Sequence, residues 1–166
     1  PGKGSTFHFT ILADAAPVVH AGHMSPETDL KHIPREDRKK VRILLAEDNA
    51  VNQMVLQKML NKLGYHADLA ANGKEVLSCL EHQPYDIILM DVQMPEMDGF
   101  ETARAIRKLR ASGDQPKIIA ITAYALKGDR EKCLDAGMDD YISKPVKLDD
   151  LEEVLAKVKE NGWATK

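Results

Sequence analysis

The sequence is poor in the features that mark disulfide-stapled, nucleic-acid-binding or membrane-spanning proteins. Its 166 residues include two cysteines, Cys79 and Cys133, and their spacing matches no metal-binding motif. Asp and Glu number 26 against 23 Lys and Arg, so the composition gives no basic nucleic-acid footprint. No apolar run approaches the ~18 residues needed to cross a bilayer, and no signal peptide is recognisable. We therefore expect a cytoplasmic fragment with reduced thiols, no nucleic-acid partner and no membrane contact of its own, although a parent protein could be membrane-anchored.

The first 40 residues differ in composition from the rest. Phe7 to Leu12 reads as a short strand, whereas 13–40 is punctuated by Gly and Pro and ends in a charged stretch, which is typical of a linker. The chain does not begin with Met, so we expect it to be a piece of a longer protein.

From residue 41 onward, short apolar runs alternate with amphipathic segments. Strands are predicted at 41–46, 66–70, 85–90, 118–122 and 140–143, and a helix is predicted after each of them. Such alternation predicts an α/β domain with a doubly wound five-stranded parallel sheet. In the first helix, Val51, Val55, Met59 and Leu63 form the predicted buried stripe, and Gly64 is the predicted C-terminal cap.

Polar side chains follow four of the predicted strands. Glu47 and Asp48 follow the first, Asp91 the third, Thr122 ends the fourth, and Lys144 follows the fifth. A single carboxylate at such a place is commonly a helix cap, and Asp48 is a candidate cap for the first helix. Three carboxylates together repel unless a cation joins them, and hard oxygen ligands suit Mg²⁺. The combination predicts a metal-assisted site in which a carboxylate attacks phosphorus.

Four motifs, in order, carry a resemblance to a known family. They are LLAEDN at 44–49, DVQMPEMDG at 91–99, ITA at 121–123 and YISKP at 141–145. Residues 43–159 thereby resemble a response-regulator receiver domain. The resemblance implies the flavodoxin-like (βα)₅ fold and a role in two-component signalling.

The resemblance also implies a role for each acidic residue. Asp91 is the implied phosphoacceptor. Asp48, Asp91 and the backbone carbonyl of Gln93 are the implied direct Mg²⁺ ligands, and Glu47 acts through a metal-bound water. Lys144 pairs with Asp91 and with the incoming phosphoryl group.

A switch is implied as well. Thr122 moves to bond a phosphoryl oxygen, and Tyr141 swings inward with it. The family resemblance further implies that the Lys144–Pro145 peptide bond is cis.

The N-terminal stretch from Gly2 to Phe9 resembles the glycine-rich box and closing strand of a histidine kinase ATP-binding domain. The predicted organisation is a kinase remnant at 1–12, a linker at 13–40 and a receiver domain at 41–160, which together suggest a hybrid histidine kinase. The implied reaction is Mg²⁺-dependent transfer from phosphohistidine to Asp91, followed by relay or slow hydrolysis. The fragment lacks the kinase active site and would catalyse only its own phosphorylation and dephosphorylation. The implied partners are the kinase core and a histidine phosphotransfer protein, with a homodimer as a further candidate.

Three other functions require different residues at these positions. A receiver-like scaffold that only binds partners predicts a missing Asp91, Lys144 or acidic pair, and none is missing. A haloacid-dehalogenase-like phosphatase resembles D-x-D-G, whereas here Asp91 is followed by Val92 and Gln93. A flavin-binding module needs a phosphate-cradling loop after the first strand, where the acidic residues stand instead.

Overall fold

The computed structural model describes residues 38, 40–109, 115–123 and 127–160, and for 127–129, 159 and 160 it describes the backbone alone. The predicted kinase remnant at 1–12 lies outside these residues, as does nearly all of the linker at 13–40. Within the described part of the chain, no helix is long and apolar enough to span a membrane.

Within the described residues from Ile43 onward, five strands alternate with five helices, as the apolar periodicity predicts. The elements are β1 (Ile43–Ala46), α1 (Ala50–Lys62), β2 (Ala67–Ala70), α2 (Gly73–His82), β3 (Ile87–Asp91), α3 (Gly99–Leu109), β4 (Lys117–Thr122), α4 (Lys127–Asp135), β5 (Asp140–Ser143) and α5 (Leu148–Glu160).

The strands form one parallel sheet in the order β2-β1-β3-β4-β5. The strand order reverses at β1, which lies between β2 and β3. Ala46 pairs with Met90, Asp91 with Ile121 and Thr122 with Ser143, so β1, β3, β4 and β5 end at similar heights. The residues that follow these strands therefore meet at the carboxyl edge of the sheet, where ligands bind in folds of this kind.

Apolar layers cover both faces of the sheet and confirm the doubly wound prediction. One layer packs α2, α3 and α4 against side chains such as Leu44 and Ile88. The other packs α1 and α5 against Leu45 and Leu89. Because every residue of β3 is buried, this strand reads as a continuous apolar run rather than an alternating one.

The stripe predicted for α1 was wrong in its first half. Leu56, Leu60 and Leu63 are buried, whereas Val51 is 68% exposed and Val55 is 45% exposed. The reason is geometric, because each four-residue step rotates about 40° around a helix with 3.6 residues per turn. A row spaced only by four residues therefore leaves the buried face, and the true face follows the spacing 56, 60, 63.

The end of α1 is capped as predicted and also contacts Arg38. Gly64 has a φ of +87°, the left-handed conformation that glycine adopts at helix ends. The guanidinium of Arg38 donates to the carbonyl of Leu63 at 2.6 Å and lies 5.8 Å from the ring centre of Tyr65. Arg38, three residues before the predicted start of the domain at 41, is thus attached to the domain.

At the amino edge of the sheet, a cluster that we call the basal clasp joins α3 to the loops before β4 and β5. Arg107 donates through Nε to the carbonyl of Gly137 at 2.7 Å and through Nη1 to that of Pro116 at 2.9 Å. Its Nη2 contacts Asp139 Oδ2 at 2.6 Å, and the same carboxylate oxygen accepts the N–H of Ile118 at 2.8 Å. The clasp lies at the end of the strands opposite to the predicted site.

Candidate functional site

The carboxyl edge of the sheet brings together three of the predicted site residues in direct contact. Lys144 Nζ lies 2.7 Å from Asp91 Oδ2 and 3.0 Å from Glu47 Oε2. Asp91 ends the central strand β3, Glu47 follows β1, and Lys144 follows β5. The three side chains form an ion-paired group in which one ammonium bridges two carboxylates.

Both carboxylates are almost completely buried. Glu47 is 1% exposed and Asp91 is 3% exposed. Buried charges are costly unless each has an opposite charge and hydrogen-bond donors. Lys144 supplies the charge to both, and the backbone N–H of Gln93 donates to Asp91 Oδ1 at 3.1 Å. These contacts therefore stabilise two carboxylates whose burial would otherwise be unfavourable.

The two carboxyl groups respond differently to this environment. Burial raises the pKa of Asp91, and the bonds from Lys144 and Gln93 offset this only in part. Burial acts in the same direction on Glu47, but hydrogen bonds from Asn52 and Lys144 outweigh it and lower its pKa. For Lys144, burial is likewise outweighed by the two carboxylates, so its pKa is raised and it stays protonated. Of the two buried carboxyl groups, Asp91 is therefore the one whose negative charge the surrounding protein compensates less.

The start of α1 holds Glu47 in place through residues that the sequence reasoning did not single out. Asn52 Nδ2 donates to Glu47 Oε1 at 2.9 Å, the N–H of Asn49 donates to the same oxygen at 3.3 Å, and Gln53 Nε2 donates to the Glu47 carbonyl at 2.6 Å. The signal that could have revealed them is the cluster of amide side chains in the first turn after an acidic strand end. Asn49 rather than Asp48 caps α1, because its Oδ1 accepts the N–H groups of two following residues. The candidate cap assigned to Asp48 was wrong.

Asp48 instead completes an acidic cluster. Carboxylate oxygens of Glu47, Asp48 and Asp91 all lie within 4.8 Å of one another, and Asp48 is exposed while the other two are buried. Three hard oxygen ligands at an open edge fit Mg²⁺, which keeps several waters of its own. The residues present therefore fit the predicted metal.

An open cavity of about 710 Å³ lies next to this group. Gln93 is exposed and lines it, and Thr122 lines it from the end of β4. The full lining consists of Val92, Gln93, Met94, Asp98, Phe100, Thr122 and Lys132. The cavity is therefore bordered by the loop that follows Asp91 and by the end of the neighbouring strand β4.

The two predicted switch residues lie in different surroundings. Thr122 is buried at the carboxyl edge, and its carbonyl accepts the N–H of Lys144 at 2.7 Å. Tyr141 lies in β5, opposite Ala120, and is half-buried against the apolar layer that contains α4. The Lys144–Pro145 bond is cis, as the family resemblance implies.

The loop after β3 runs close behind Asp91. A Cβ on Gly99 would overlap the Asp91 carbonyl oxygen and lie 2.9 Å from Val92 Cα, so only glycine fits there. Asp98 Oδ1 accepts the N–H of Glu101 at 2.7 Å, so this side chain caps the start of α3. Glu96 in this loop has a φ of +66°, a left-handed conformation that is unusual for a residue other than glycine.

Comparison with known proteins agrees with this geometry. Residues 43–156 match the family model described as the response regulator receiver domain. The chain belongs to this family. Hybrid signal transduction histidine kinase B of Dictyostelium discoideum is 45% identical in an alignment of 120 positions that covers 66% of this chain and 6% of the kinase. The chain thus spans only a small part of such relatives.

Two solved structures resemble the receiver domain closely. The receiver domain of sensor histidine kinase PA1611 from Pseudomonas aeruginosa PAO1 is 48% identical with a TM-score of 0.64, and the match covers 70% of this chain and 95% of that one. That structure has a magnesium ion coordinated in its active site cleft. The receiver domain of Ssk1 from Saccharomyces cerevisiae, in complex with the phosphotransfer protein Ypd1, gives a match with 30% identity and a TM-score of 0.69, covering 75% of this chain and 93% of that one. The domain is therefore a receiver of two-component, phosphorelay-type signalling.

Proposed function

We propose that this receiver domain accepts a phosphoryl group on Asp91 from a phosphohistidine, with Mg²⁺ required, and then relays it or hydrolyses it slowly. The observation that carries the proposal is the contact of Asp91 with Lys144 at 2.7 Å, within an acidic cluster whose oxygens lie within 4.8 Å of one another. A nucleophilic carboxylate, an ammonium and a set of metal ligands are the parts that this transfer needs.

In the proposed transfer, a carboxylate oxygen of Asp91 forms a bond to phosphorus while the bond from phosphorus to the donor imidazole nitrogen breaks, and the imidazole keeps the electron pair. Lys144 already lies against Asp91 and holds an oxygen of the arriving group as a point charge. The hydroxyl of Thr122, at the end of the neighbouring strand, donates to another. Mg²⁺ would be held by Asp48, Asp91 and the Gln93 carbonyl, with Glu47 acting through a bound water, and it would neutralise the phosphoryl charge.

Intact mass measurement after incubation with acetyl phosphate and Mg²⁺ tests the proposal. We expect one phosphoryl adduct on the wild type and none on Asp91→Asn or in the presence of a chelator. Asp98→Asn is the matched control, because Asp98 caps α3 and is not among the clustered carboxylates. A phosphoryl adduct on Asp91→Asn would show that Asp91 is not the phosphoacceptor. Absence of any adduct, even with phosphorylated kinase core as donor, would favour a scaffold.

A histidine phosphotransfer protein is the proposed macromolecular partner. Such a partner must reach Asp91 and therefore covers the surface around the carboxyl edge. Val51, Met54 and Val55, which we call the α1 patch, lie in the first two turns of the helix that begins two residues after Asp48, and they are 68%, 55% and 45% exposed. Exposed apolar groups that cluster beside a reaction site are typical of a protein-binding surface.

The α1 patch can be tested separately from the chemistry. We expect Met54→Glu to lower the rate of transfer from a phosphorylated phosphotransfer protein by at least about tenfold, since a buried interface charge costs more than about 1.4 kcal/mol. The same variant should accept phosphate from acetyl phosphate at the wild-type rate. Leu109→Glu is a matched control, because Leu109 is 73% exposed at the distant end of α3. Equal slowing by both variants would remove the α1 patch from the proposal.

We further propose that the chain is part of a hybrid histidine kinase and that its own catalysis is limited to phosphorylation and dephosphorylation of Asp91. Its similarity to such kinases supports this assignment. Thr122 and Tyr141 are the proposed switch, and NMR spectra with and without the phosphoryl group should show changes at both. The homodimer and the cytoplasmic location stay predictions.

A further inference from the structure

We propose that Asn52 is a positioning residue that fixes the carboxylate of Glu47 for metal binding, an inference that rests on the proposed function. Asn52 Nδ2 donates to Glu47 Oε1 at 2.9 Å, while Glu47 Oε2 contacts Lys144 at 3.0 Å. One oxygen of the Glu47 carboxylate therefore accepts a hydrogen bond from α1, and the other contacts the ammonium of Lys144.

Glu47 needs such support because its side chain is long. The terminal torsion of glutamate is broad, so the carboxylate plane is not fixed by the backbone. The backbone N–H of Asn49 also reaches Oε1, but at the longer distance of 3.3 Å. A carboxylate only accepts, so the Asn52 amide must present its NH₂ group to it. Asn52 thus supplies the shorter of the two bonds that orient Oε1.

Asn52 is well suited to be a positioning residue and poorly suited to be a stabilising one. Its side chain is exposed, so it adds nothing to the apolar layer between α1 and the sheet. Asn is also a weaker helix former than Ala. Its backbone N–H is satisfied by Asn49 Oδ1 at 3.2 Å whatever its side chain. Asn52→Ala should therefore fold as well as the wild type while leaving Oε1 without its main donor.

The effect should appear in metal affinity itself. Loss of a hydrogen bond that orients a direct metal ligand typically weakens metal affinity by about 10- to 100-fold. Because Glu47 would reach the metal through a water, we expect the Mg²⁺ dissociation constant of Asn52→Ala, measured by isothermal titration calorimetry, to rise by about three- to tenfold. Urea unfolding of the metal-free variant should match the wild type. Asn61→Ala, an exposed asparagine near the other end of α1, is the matched control and should bind Mg²⁺ as the wild type does.

A double-mutant cycle identifies the route of the effect. If Asn52 acts through Glu47, then Asn52→Ala should cause no further loss of Mg²⁺ affinity in a Glu47→Ala background. Wild-type affinity in Asn52→Ala, or an equal loss in both backgrounds, would overturn the positioning role and leave the proposed function intact. A wild type that binds no Mg²⁺ would overturn the proposed function together with this inference.

Discussion

Removal of the bridging ammonium tests the electrostatic account of the site, with Lys144→Met as the variant. Lys144 contacts the buried carboxylates of Asp91 and Glu47 at 2.7 and 3.0 Å, and its own side chain is 28% exposed. Removing one partner of a buried ion pair costs about 3–5 kcal/mol. Because Lys144 is partly exposed, solvent screening reduces the expected loss of unfolding free energy to about 2 kcal/mol.

The assay is urea unfolding near neutral pH, with and without Mg²⁺. Lys144→Met should be less stable than the wild type without metal, and Mg²⁺ should stabilise the variant more than the wild type, since no ammonium competes for the carboxylates. The deficit should shrink in acid, because protonated Asp91 and Glu47 need no cation. It should also shrink in strong alkali, because the pairing of Lys144 is lost as pH rises through its raised pKa.

The matched control is Lys157→Met, which removes an exposed pair with Glu153. Exposed pairs contribute about 0–1 kcal/mol, so this variant should resemble the wild type. If Lys144→Met unfolds at the wild-type urea concentration, or if Mg²⁺ stabilises both proteins equally, then the lysine does not compensate the buried charges and the reasoning fails.

Three further perturbations follow from the structure. Gly99→Ala places a methyl group against the Asp91 carbonyl, so it should lower both the stability, by at least about 1–3 kcal/mol, and the rate of phosphorylation by acetyl phosphate. Burial, together with the Asp68 carboxylate that accepts its hydroxyl hydrogen bond, raises the pKa of Tyr85 to about 12. Its contribution to stability is therefore present below about pH 10 and is lost towards pH 12, and ultraviolet titration should show a late tyrosinate step that is missing in Tyr85→Phe. Arg107→Lys should cost about 2 kcal/mol in urea unfolding, because a lysine cannot reproduce the forked contacts of the basal clasp.

Each of these has a result that would contradict it. For Gly99→Ala, a wild-type stability or a wild-type rate of phosphorylation by acetyl phosphate would contradict the prediction. If Tyr85→Phe keeps the late tyrosinate step, then that step belongs to another tyrosine. Arg107→Lys should leave the initial rate of phosphorylation per folded molecule unchanged, so a slower rate would mean that the clasp influences the site.

Much of the fold and of the site could be predicted because their signals are local. The strands are short apolar runs, and a parallel sheet brings whatever follows its central strands to one edge. Glu47, Asp91 and Lys144 were therefore placed together before any contact was known, and the structure confirms that they touch. The roles assigned to Gln93, Thr122 and Tyr141 stay predictions.

The features that were missed depend on details of helix rotation and capping. The stripe assigned to Val51 and Val55 assumed an exact four-residue period, whereas the helix turns those side chains outward. Asp48 and Asn49 are neighbouring candidate caps, and only the backbone path decides between them. Asn52 was missed because the amide side chains after the acidic strand end mark a cluster, whereas only the structure shows which oxygen of Glu47 the Asn52 amide contacts.

The position of the basal clasp determines which property of the domain its substitutions can change during evolution. It contributes to folding from the amino edge of the sheet, at the opposite end of the strands from Asp91. A substitution there is expected to alter how many molecules are folded and escape degradation, and so to alter abundance. Under the proposed function, substitutions in the clasp would adjust the number of receivers, whereas substitutions at the carboxyl edge would adjust the reaction of each one.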